Sequence, residues 1–262
     1  MELLRDPVVG DNIGYIVVKD GEKLGPCCYG TVPFTPDQSS KQRIIAGIAT
    51  RESPMRGSKP WALSWEPSTN CVQAYEANEK YGRWLSGGLC HAITRNGNFQ
   101  KLLGALRAAD TAAFDKAIAP YGLTFDGEDL LMDDSVVSDD DWQDPHVVAG
   151  MVRLLALPFT VQPQVDFFWG LITERDGILK SVGWYDAAMA DERIRFIAAS
   201  MAINMGTDIF KASFLKAKEK TAEALTASRI ARYKAIGSTF GIERSEWEQK
   251  WDGVTDGRPS DA

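Results

Sequence analysis

The segment Gln42-Arg43-Ile44-Ile45-Ala46-Gly47-Ile48-Ala49-Thr50-Arg51-Glu52-Ser53 constrains this chain more than any other. Ile44, Ile45 and Ile48 recur at helical spacing and mark an apolar face. Glu52 follows Ile48 by four residues and Ile45 by seven. A helix that buries the isoleucines therefore carries Glu52 inward too, in its last turn, before Pro54 stops it. An ionised carboxylate is costly on an apolar face. A carboxyl group that keeps its proton near neutral pH is suited to general acid catalysis. The competing role is structural: Glu52 caps local amides or pairs with Arg51 or Arg56 at the surface.

The 262 residues suffice for one large domain or two small ones, and for a real core. With 44% hydrophobic and 25% charged residues, the composition is that of an ordinary globular protein. The net charge of -7 is spread without a basic run, which argues against nucleic acid and anionic membranes as partners. It suits a polycation better than a polyanion. Of the four cysteines, Cys27, Cys28, Cys71 and Cys90, no two form a CxxC pair, so no structural zinc site is expected. Reduced thiols are expected, and no cofactor is implied. The first residues lack a secretory pattern, and no apolar run approaches the ~18 residues that a membrane span needs. The protein is expected to be made in the cytoplasm and to leave it, where it does, by release or non-classical export.

Residues 1–36 read as an extended, turn-rich segment, with a strand at Gly14–Val18, an Asp20-Gly21 hairpin turn and a loop at Gly25–Gly30. Residues 37–97 hold the Glu52 helix and a cleft loop rich in Pro, Gly and aromatics, among them Trp61, Trp65, Tyr75, Tyr81 and Trp84. These rings fit pyranose stacking or simple core packing. Residues 98–251 read as a helical lobe. Phe99, Leu102, Leu103 and Leu106 form a stripe, and Phe114 and Ile118 mark a second helix. Asp126 to Asp141 reads as a solvated acidic loop without the ligand rhythm of a calcium site. Asp144-Pro145 starts a helix, and His146 reads as a surface residue at that start. One long helix is expected over Gln164–Lys180 and another over Asp186–Met205, capped by Gly206. The last helices are expected at 208–236 and 243–251, with Trp247 and Trp251 stapling the tail.

Three short motifs carry a resemblance. Ile-Ala-Gly-Ile-Ala-Thr-Arg-Glu-Ser resembles the segment of goose-type lysozymes that ends in Arg-Glu-Ser and holds their catalytic glutamate. Leu85-Ser86-Gly87-Gly88-Leu89-Cys90-His91-Ala92 is similar to the strand that follows that glutamate across the lysozyme-like superfamily. Gly97-Asn98-Phe99-Gln100-Lys101-Leu102-Leu103 is similar to a helix start in chitosanase-like members. The sequence departs from the pattern at the strand's usual Gln, where His91 or a neighbour stands, and no second catalytic aspartate lines up. The resemblance implies a single α+β, mainly α, lysozyme-like domain over 1–262, with a small β region between Glu52 and Phe99. It implies a glycoside hydrolase cleaving β-1,4 bonds of an amino-sugar polymer: peptidoglycan first, chitosan as the alternative. A cell-wall-binding or structural protein that has lost turnover is the non-enzymatic alternative.

In this reading Glu52 is the acid, and the second carboxylate is Glu66, ahead of Glu76 and Glu79. Trp61, Trp65, Tyr81, Trp84 and His91 would bind the polysaccharide. An inhibitor or immunity protein is a compatible further partner. A third class, a Cys–His amidase or peptidase, would require Cys28 or Cys90 beside a histidine.

Overall fold

The computed structural model describes residues 2–6, 14–19, 22–26, 30–56, 63–78 and 82–251; at 2–26, 56, 63, 65, 75–78, 82 and 83 it describes the backbone alone. The described residues form a mainly helical α+β chain with small antiparallel sheets. Among the described residues, no helix is long and apolar enough to cross a membrane. The chain divides into two compact units. The first comprises Met1–Thr35 and Ala49–Phe167, the second Pro36–Ile48 and Phe168–Ala262.

Helix α1 is Ser40–Glu52, with the expected end. Its start is tied by side-chain bonds: Ser39 Oγ accepts from Gln42 N, Gln42 Oε1 accepts from Asp37 N, and Asp37 Oδ1 accepts from Ser39 N. The single apolar face expected from sequence is too narrow a description, because every residue from Ile44 to Thr50 is buried. Gly47 explains how. A Cβ there would sit 2.6 Å from Trp251 Nε1 and 2.7 Å from Phe196, so glycine admits two stacked rings against the helix backbone. Those rings lie 4.2 Å apart at 15°.

In the first unit, β1 (Glu2–Asp6), β2 (Gly14–Lys19) and β3 (Glu22–Pro26) form an antiparallel sheet. Lys19 pairs with Glu22, as an Asp20-Gly21 hairpin requires, although the turn itself lies outside the described residues. Gly25 and Pro26, expected in a loop, belong to β3. The expected β region follows α1. Strands β4 (Pro54–Arg56) and β5 (Leu63–Pro67) pair, and β6 (Val72–Asn78), β7 (Gly82–Gly87) and β8 (Ala92–Ile93) form a three-stranded sheet.

Helices α2 (Asn98–Ala109) and α3 (Thr111–Ile118) bury the expected stripes. The acidic stretch is not one loop: β9 (Leu123–Phe125), β10 (Leu130–Met132) and β11 (Ser135–Val136) form a small meander. Asp126 makes its first turn by accepting from Glu128 N and Asp129 N, a local Asx bond that charge counting overlooks. Helix α4 (Pro145–Leu155) starts on its Asp144 cap as expected, with His146 exposed beside it.

Two long helices expected from sequence are each broken. The first is α5 (Val161–Thr173) followed by α6 (Asp176–Ser181). The second is α7 (Tyr185–Ala190) followed by α8 (Glu192–Asn204). Asp191 causes the latter break by accepting from Arg193 N and Ile194 N, so it caps a new helix instead of continuing the old one. Gly206 is not a left-handed C-cap; with φ −60° it begins α9 (Thr207–Lys216). Helices α10 (Ala222–Ala235) and α11 (Thr239–Gln249) follow, so the helix expected over 208–236 is also two. Trp247 and Trp251 both pack on Phe196, as the expected staple requires.

Candidate functional site

The site in the first unit grows from the end of α1. Ser53 is fully buried and holds three neighbours at once. Its N–H donates to Ala49 O, its carbonyl accepts from Ser68 N at 2.8 Å, and its Oγ donates to Gly88 O at 2.6 Å. Helix end, strand end and turn are therefore pinned beside Glu52, which is half-buried.

The turn Gly88–His91 is held from two more directions. Gly88 N donates to Cys71 O at 3.0 Å, and Leu89 N donates to the Oε1 of buried Gln164, also at 3.0 Å. Gly88 has φ 81°, and His91 has φ 52°. A left-handed backbone is uncommon for a residue with a Cβ and persists where its surroundings impose it. Here both ring nitrogens are engaged. Nδ1 shares a hydrogen bond with Ser86 Oγ at 3.0 Å, and Nε2 lies 3.3 Å from Cys71 Sγ.

Strand register supplies the rest. Gln73 pairs with Ser86, and Tyr75 pairs with Trp84. Alternation puts Cys71, Gln73, Trp84 and Ser86 on one side of the β6–β7 pair, while Val72, Ala74 and Leu85 are buried on the other. One face thus joins a half-buried indole to the hydroxyl and thiol that fix His91.

Burial is the larger influence on the imidazole and holds the His91 pKa below its ordinary value; the Glu52 charge opposes this without reversing it. His91 is therefore a neutral ring at neutral pH, within electrostatic reach of Glu52. A neutral, oriented imidazole beside a carboxyl group can hold a water or a sugar hydroxyl without placing a fixed positive charge next to the acid.

The structure brings Glu52, His91 and Trp84 to this region. Glu66 is exposed on β5, and its neighbour Pro67 pairs with Pro54 just beyond α1. Trp61, Tyr81, Glu79 and Cys28 lie outside the described residues, as do the side chains of Trp65 and Glu76. Cys71, which the expectation did not name, places its Sγ beside the His91 ring. Cys71 and Cys90 are both buried. Sequence reasoning missed Ser53, Cys71, Ser86 and Gln164. Ser53 and Ser86 carried a signal, as members of the Arg-Glu-Ser and Leu85–Ala92 motifs. Among the described residues, no group of three or more His, Cys, Asp or Glu is placed to hold a metal ion. No model of a known protein family matches the chain, and neither does any curated protein or solved structure.

Proposed function

We propose that the protein is a lysozyme-like glycoside hydrolase that cleaves β-1,4 bonds of an amino-sugar polymer, with peptidoglycan ahead of chitosan. The observation that carries the reading is the half-buried Glu52 at the end of α1, within electrostatic reach of a neutral His91 whose ring is held by Ser86 and Cys71 on the strand face that bears Trp84. Glu52 donates its proton to the glycosidic oxygen as the leaving group departs. The oxocarbenium-like state then needs a second carboxylate, or a water held in place. Glu66 is the candidate carboxylate, and His91 is the candidate holder of the water. Trp84 offers a ring for a sugar face. The net charge of -7 supports the chitosan arm of the proposal.

Release of reducing ends from purified peptidoglycan and from chitosan, with native protein and Glu52→Gln in parallel, tests the reading. Activity on either polymer that Glu52→Gln abolishes supports it, and the preferred polymer ranks the substrates. Activity unchanged in Glu52→Gln would overturn it.

The contact between Cys71 and His91 favours one second reading, a thiol-dependent hydrolase. Cys71 has 0% exposure, whereas reactive thiols sit in accessible surroundings. Cys71→Ser separates the two chemistries: a glycosidase keeps its activity, and a thiol enzyme loses it.

A further inference from the structure

Gln164 lies on α5 with 0% exposure, where a methionine would fill the space without a polar group to desolvate. A buried amide is tolerated when both of its ends are bonded. Here both are. Oε1 accepts from Leu89 N at 3.0 Å, and Nε2 donates to Thr160 Oγ1 at 3.3 Å. Thr160 is itself buried, and its one hydroxyl proton goes to the carbonyl of Leu157 at 2.7 Å or of Leu155 at 3.2 Å. Thr160 Oγ1 therefore accepts from Gln164, which fixes the amide with its oxygen towards Leu89.

The bond to Leu89 falls where the candidate site needs support. The turn Gly88–His91 is closed by His91 N, which donates to Gly88 O at 3.2 Å. A turn of this kind leaves the N–H of its second residue, here Leu89, without a partner inside the turn. Leu89 and Cys90 are both buried, so bulk water does not reach it. Ser53 and Cys71 bond to Gly88, whereas Gln164 bonds one residue nearer to His91. The φ of 52° at His91 persists only where its surroundings impose it. Ser86 and Cys71 reach the imidazole from the backbone position that the turn sets.

We infer that Gln164 is a positioning residue for His91: through Leu89 N it holds the turn that places the imidazole at the candidate site. Fully buried, it acts through the turn and not on a substrate. Its consequence for turnover rests on the glycosidase reading, in which His91 holds the water; the positioning itself does not.

NMR spectroscopy of the intact chain tests the positioning whether or not either polymer is cleaved. Gln164→Met keeps length and bulk and removes the acceptor. The Leu89 amide should then exchange with deuterium roughly tenfold faster or more. The His91 ring-nitrogen shifts and backbone coupling should move away from those of native protein. Gln164→Glu keeps an oxygen for Leu89 N and, protonated in its buried position, a donor for Thr160. It should restore the native signals, which a role in mere space filling would not require. Reducing-end release then reads the consequence: kcat in Gln164→Met should fall by up to ~100-fold with KM unchanged. Displaced His91 signals with full activity would support the positioning and remove His91 from the proposed mechanism. If Gln164→Met does not fold, Thr160→Val frees the far end of the amide and should shift the same His91 signals by a smaller amount. Native His91 signals in Gln164→Met, or in Thr160→Val where it takes that place, would overturn the assignment, as would equal disturbance by Gln164→Met and Gln164→Glu.

Discussion

The two units each bury a cluster of ionisable groups and treat it differently. In the first, Glu52 and His91 stay half-buried, and His91 is kept neutral by burial. In the second, Arg229, Arg244 and Glu248 are almost wholly enclosed. Burial pushes the Glu248 carboxyl up, but the Arg229 and Arg244 guanidiniums and the Ser200 hydroxyl outweigh it, and its pKa falls below the ordinary value. The difference teaches how each cluster meets solvent. A sealed, ionised cluster whose carboxylate accepts from Arg229, Arg244 and Ser200 has much to lose if broken. A half-open pair with one uncharged base can still exchange a proton.

The largest expected effect breaks the sealed cluster. Glu248→Ala leaves two buried guanidiniums without their carboxylate, and the loss should be on the order of 3–5 kcal/mol in urea denaturation. A loss near zero would mean that the cluster is not sealed in solution. Next comes Glu52→Gln, which keeps shape but removes the transferable proton. Activity on the preferred polymer should fall at least ~100-fold, with the unfolding midpoint unchanged. A destabilised but fully active Glu52→Gln would make the two clusters alike, both structural.

A smaller effect is expected at Gly47→Ala. Alanine favours an exposed helix over glycine by about 1 kcal/mol. Here its Cβ would intrude on Trp251 and Phe196, and overpacking costs roughly 1–3 kcal/mol. Net destabilisation by thermal melting is expected, and a stabilised variant would show that the stacked rings move aside at little cost.

The smallest effects are in pH, and they should separate the clusters. His91 has a folded pKa below its unfolded value of 6.5. The unfolded chain therefore binds the proton first on acidification, and stability falls as pH drops below about 6.5, by at most ~1.4 kcal/mol per pH unit. It stops falling once pH is below the folded value. Glu248 is lowered from 4.5. Its contribution is complete above that pH and is lost as pH falls through the lower folded value. Urea denaturation of native protein and His91→Asn between pH 8 and 5 should show the first slope in native protein alone; asparagine tolerates the left-handed backbone. Equal slopes would place the titrating group elsewhere.

The legible parts of the fold were those set by local pattern. The end of α1 at Glu52, the stripe on α2 and the Asp144-Pro145 start of α4 each depend on neighbours within a few residues. Two of the errors share one cause. Asp191 and Asp126 bond to nearby amides, and those bonds broke a helix at one position and turned a strand at the other, where periodicity and charge counting gave no warning. At the candidate site, Glu52 and Trp84 were legible as residue types in suggestive places. Cys71 was not, because alternation becomes readable only after the β6–β7 register is known.

The sequence by itself therefore determined the helix that presents Glu52, the mainly helical α+β class and the acidic balance, all consequences of spacing and composition. Only the tertiary structure decided which groups meet: Ser53 with Gly88, His91 with Cys71 and Ser86, Arg229 with Glu248. Those partners are separated by 35, 20, 5 and 19 positions. Such pairings follow from closing the chain on itself and burying both partners together, which no local propensity encodes.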